Sequence, residues 1–167
     1  MSQYGDRNCI MSAMLVDSFL LSPWNVPFGP AMSFPQLDGK GWTYSRRVLS
    51  AEPAWRNDAR GLQFDLAAIS DPKINAPLGA IVPANAGGSN FWNYYLEYQR
   101  PVGWNRGISA KLLIRRRLGA TAALLGEIQI PSVQGDRVSW REPSGNVQFQ
   151  VEKIRADDRL IRVTATK

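Results

Sequence analysis

No histidine occurs anywhere in the 167 residues. That absence excludes a Ser-His-Asp triad, a Cys-His pair and any zinc site built on imidazole within the chain. General acid–base work would fall to carboxylates, tyrosines or lysines. Cysteine is nearly missing as well. Cys9 stands alone, so no internal disulfide can form, and it reads as a small buried side chain before it reads as a reactive thiol. Long apolar runs are also lacking. The stretch from Ile10 to Leu21 is interrupted by Asp17 and stopped by Pro23, too short to span a bilayer. Asp6 and Asp17 argue against a signal peptide, so no targeting signal is read. There is no low-complexity tract and no repeat of fixed period. Neither a metal-ligand spacing nor a cofactor motif is present, and none is expected to be bound. Asp157-Asp158 reads as a turn former, not a calcium site.

What is present is ordinary for a folded domain: 44% hydrophobic and 20% charged residues, in a length that suits one core. The net charge of +6 permits an anionic partner without demanding one.

The densest signal runs from Asn90 to Ile108. With a period of two, Trp92, Tyr94, Leu96 and Tyr98 share one apolar face that should look into a core. Phe91, Tyr95, Glu97 and Gln99 share the other, which is either half exposed or covered by a neighbouring segment. Pro101 and Gly103 then end the strand. Before it, the spacing of Ile10, Met14, Leu15 and Leu21 suits a short helix, and four prolines between Ser22 and Pro35 indicate a surface loop. After it, alternation recurs. Leu62, Phe64, Leu66 and Ala68 point in against Gln63 and Asp65. Val147, Phe149 and Val151 alternate with glutamines, and Ile161, Val163 and Ala165 with Arg162 and Thr164. Short strands at this spacing predict a mainly β fold, an antiparallel β-sandwich over residues 46–167, with residues 1–45 forming a short N-terminal helix and a Pro-rich loop packed on it.

Three blocks resemble a known family. Tyr4-Gly5-Asp6 followed by Met11 is similar to the methionine-turn region of gametolysin-like and immune-inhibitor-like secreted zinc metalloproteases. The block from Phe34 to Trp42 resembles their post-catalytic segment, and that from Tyr94 to Ile108 is similar to their strand ending in Gly-Trp-Asp-Arg-Gly. Asn105 departs from the family's Asp, and Arg115-Arg116 stands where relatives often carry a histidine. Their His-Glu-x-x-His helix lies upstream of the methionine turn, and the sequence as given begins after it. The resemblance therefore implies the back end of a catalytic domain plus a downstream β domain, extracellular, and without catalytic zinc.

Two constellations carry candidate chemistry. Arg100, Arg106, Lys111, Arg115 and Arg117, with no acid between Glu97 and Glu127, form either a solvated, ion-paired edge or an anion-binding surface beside an exposed Trp104. Period two sets Lys111, Arg115 and Arg117 on one face, expected to meet solvent, and Arg116 on the opposite, apolar face at the strand end. No motif marks specific nucleic-acid binding. Alternatively, Glu97, Glu127, Glu142 and Glu152 sit on strand candidates, and two of them about 5–9 Å apart could act on a glycosidic bond. Two classes stay open: a non-catalytic interaction module for glycan, protein or another anionic surface such as an anionic polysaccharide, and a small carboxylate hydrolase without metal.

Overall fold

The aromatic strand proves to be the middle of a five-stranded sheet that stacks on a four-stranded one. The structure is a computed structural model and describes residues 19–21, 26–28, 33–41, 45–57, 61–71, 73–84, 92–102, 105, 107–118 and 121–167. In chain order the elements are β1 (Phe19–Leu21), β2 (Val26–Phe28), α1 (Phe34–Gly39), a 3-10 turn (Ser45–Arg47), β3 (Val48–Ser50), α2 (Glu52–Asn57) and β4 (Leu62–Ala67). There follow β5 (Gly79–Pro83), β6 (Asn93–Gln99), β7 (Lys111–Leu118), β8 (Thr121–Gln129), β9 (Arg137–Arg141), β10 (Gln148–Lys153) and β11 (Leu160–Thr166). One sheet runs β3-β5-β6-β7-β8 and the other β4-β11-β10-β9. β1 and β2 pair separately. The fold is mainly β, an antiparallel sandwich that does not close into a barrel.

Alternation explains which faces meet. Tyr94, Leu96 and Tyr98 of β6, with Leu112 and Ile114 of β7, pack against Phe149 and Val151 of β10 and Ile161, Val163 and Ala165 of β11. All of these are fully buried. The edge-on contact of Tyr94 with Phe149, centroids 5.1 Å apart, joins the two sheets at their centre. On the outside of the four-stranded sheet, Asp65 pairs with Arg162 at 2.9 Å and Gln63 bonds Thr164. β3 and β5 run parallel, with α2 and β4 lying between them in the chain. Trp55 of α2 is buried in the core.

The N-terminal expectation needs correction where it can be seen. Phe19–Leu21, expected in a helix, is a strand pairing antiparallel with Val26–Phe28. The two apolar trios pair with each other instead, Phe19 opposite Phe28 and Leu21 opposite Val26. Residues 10–18, the rest of that expected helix, lie outside the described residues. A short helix does form, but at Phe34–Gly39, with Pro35 in its first turn where a missing N–H costs nothing. It lies against β6, β7 and β8, on the face of the five-stranded sheet away from the core. Gly79 makes room for it, because a Cβ there would stand 2.7 Å from the Phe34 ring.

Candidate functional site

The covering helix changes the character of the basic stretch. Arg115 has no exposed surface, and its Nη1 lies 2.7 Å from Oε2 of Glu97, which is equally buried. The same carboxylate accepts the backbone N–H of Phe34 at 2.6 Å, satisfying a first-turn donor of α1, and Gln99 donates to its other oxygen. Lys111 is buried and pairs with Glu127 at 3.0 Å. Arg117 rests its guanidinium against Gly39. The expectation that Lys111, Arg115 and Arg117 meet solvent is thus corrected for the first two, because α1 and neighbouring chain bury that face. Arg100 lies beside Asp71 at 3.6 Å and donates to the Asp157 carbonyl at 2.9 Å. Asp71 also pairs with Arg159 at 2.9 Å, and that hydrogen bond holds its carboxyl below the ordinary range. Trp104 and Arg106 lie outside the described residues.

The candidate glutamates lie on different parts of the sandwich, with Glu152 of β10 paired to Arg137 at 2.9 Å. Glu97 and Glu127 share the outer face of the five-stranded sheet, flanking Leu113 in register, and each is taken up by its own cation. Glu142 stands elsewhere, past the end of β9. Among the described residues no three His, Cys, Asp or Glu side chains gather as metal ligands.

Glu142 does belong to a site. β8 ends one sheet and β9 ends the other, and where these edges approach a half-open cleft of about 300 Å³ forms. Trp92, Arg116, Leu124, Leu125, Trp140, Glu142, Pro143 and Ser144 line it. A bulge shapes its wall. Ile114 pairs with Gly126 and Arg115 with Leu124, leaving Leu125 as the extra residue on β8. Gly126 has no side chain, and the indole of Trp140 lies over it. Trp140 in turn stacks on Phe149, interplanar angle 14°. At the other wall Trp92 meets Tyr94 edge-on at 4.5 Å, and the Arg116 guanidinium lies 4.7 Å above the Trp92 ring. Four rings thus run from Trp92 through Tyr94 and Phe149 to Trp140, fixing both walls from the core. Ser144 Oγ donates to Glu142 Oε2 at 2.5 Å. Burial, and then the neighbouring Glu142 carboxylate, push the Tyr94 hydroxyl far above its usual range.

The sequence pattern assigned Trp92 and Trp140 to core or loop anchoring, and nothing in it marks them as wall residues of a cleft. Arg116 had a signal: its even position beside Leu112 and Ile114 sets a cation on the core face at a strand end. Comparison of the chain with known protein families, curated proteins and solved structures returned no match. Among the described residues no helix is long and apolar enough to cross a membrane.

Proposed function

We propose that the chain is a non-catalytic β-sandwich interaction module that binds glycan in the cleft between β8 and β9. One observation carries this: two indoles, a guanidinium, a carboxylate and a hydroxyl surround a single half-open cleft. Sugars present apolar C–H faces rimmed by hydroxyl groups, and that lining offers ring surface for the first and donors and acceptors for the second. The volume lies at the small end of ligand pockets, which span about 300–1,000 Å³, a scale that suits one or two sugar rings. A carboxylate hydrolase needs two facing carboxyl groups, and the lining of this cleft holds Glu142 alone. The glycan reading does not depend on the metalloprotease resemblance, whose first block, Tyr4 to Met11, lies outside the described residues.

A glycan array probed with the wild-type chain and with Trp140→Ala tests it. Selective retention by the wild type that the variant loses supports the reading. Equal retention by both, or none by either, removes it.

A further inference from the structure

Resting on that reading, we infer that the preferred sugar is carboxylated, a hexuronate residue whose carboxylate seats on Arg116. Three observations converge on this side chain. It lines the cleft, and its guanidinium is held over Trp92 at 4.7 Å. Its Nε is buried and has no hydrogen-bond acceptor. Among the described residues no carboxylate pairs with it, whereas Lys111 and Arg115 of the same strand are committed to Glu127 and Glu97.

The Nε of Arg116, being buried, is out of a ligand's reach, so a ligand carboxylate would meet the Nη end of the guanidinium. The two Nη groups match a planar carboxylate through two parallel N–H···O bonds. Its place over the Trp92 ring holds the guanidinium at the cleft before any ligand arrives, which limits the order lost on binding. Glu142 sets the other boundary. It already accepts from Ser144, keeps lone pairs for ring hydroxyls, and places a negative charge in the same cleft. One carboxylate per sugar is therefore matched by one guanidinium, while a densely sulfated chain meets repulsion from Glu142.

The test is calorimetric titration of the full chain with a panel of gluco-, galacto- and manno-configured hexuronate oligosaccharides, each beside its carboxyl-reduced neutral counterpart. The carboxylated form should bind about tenfold tighter or more, the scale of one charge-assisted hydrogen-bond pair. Arg116→Gln should bring the two forms to the same weak affinity, and Arg116→Lys should keep part of the difference. Thermal melts of both variants establish that they are folded. Equal binding of charged and reduced forms by the wild type overturns the inference and leaves the glycan reading standing. A wild type that binds no member of the panel, charged or reduced, overturns both. Tighter binding of heparin than of every hexuronate would also overturn it, because sulfate density would then be what is recognised.

Discussion

Gly126 on β8 lies beneath the indole of Trp140 on β9, so close that a Cβ at position 126 would stand 2.6 Å from Cε2 of the ring. The seat of Trp140 is thus built by an absence on the opposite sheet. Gly126→Ala should displace Trp140 and cost about 1–3 kcal/mol, the usual range for overpacking. The urea midpoint would fall and the tryptophan emission would shift together. An unchanged midpoint and spectrum would show that the ring does not depend on this glycine.

Burial of Glu97 with Arg115 couples α1 to the sheet through the Phe34 N–H. Removing one partner takes the ion pair from a charge that stays buried, so Arg115→Met or Glu97→Leu should each cost about 3–5 kcal/mol. The double replacement should recover part of the loss. Arg115→Ser should likewise register as lost stability, with little change in retention on heparin. Single variants within about 1 kcal/mol of the wild type would contradict this.

Acid should weaken the cluster at Asp71. Its carboxyl titrates below the ordinary value because of the hydrogen bond from Arg159, helped by the charges of Arg159, Arg100 and Lys73 and opposed by desolvation. A depressed native pKa contributes stability that is present above the unfolded value, about 4, and is lost as pH falls through the native one. The melting temperature of the wild type should therefore exceed that of Asp71→Asn at pH 6 and converge on it below about pH 4. A gap independent of pH would place the effect elsewhere.

Alkali should find two tyrosines resistant. Desolvation raises Tyr94 and Tyr98 well above the ordinary phenol value of 10.0, aided in Tyr94 by Glu142. Their neutral forms favour the fold below pH 10, and this contribution is lost as pH rises beyond it. Ultraviolet titration of the folded chain should show Tyr94 and Tyr98 ionising only on unfolding, assigned by comparison with Tyr94→Phe and Tyr98→Phe. Normal, reversible ionisation of both in the folded chain would refute it.

Much of the sandwich was legible because period two is a local property. The inward set of Leu62, Phe64 and Leu66, and those of β10 and β11, need only the pleat to be placed. The covering of Glu97 was legible only as one of two alternatives, and that of Arg115 was not, since the helix that does it begins 63 residues before Glu97 in the chain and its first turn holds a proline. The face of Arg115 looked like a solvated edge by composition alone. The cleft was less legible still. It depends on β8 and β9 being the edges of different sheets, on a bulge at Leu125, and on Gly126 meeting Trp140 across the gap. None of these leaves a periodic trace. Arg116 was readable as a misfit on its face, though not as a cleft residue.

The central claim is that ligand recognition sits between Trp92 and Trp140. The most direct measurement follows the indole N–H signals of the six tryptophans by ¹H–¹⁵N correlation during titration with the best hexuronate oligosaccharide. The signals of Trp92 and Trp140 should move in a saturable manner, while that of Trp55, the α2 residue buried in the core with Lys167 Nζ over its ring, stays fixed. Shifts confined to Trp104, or no saturable shift at Trp92 and Trp140, would contradict the account.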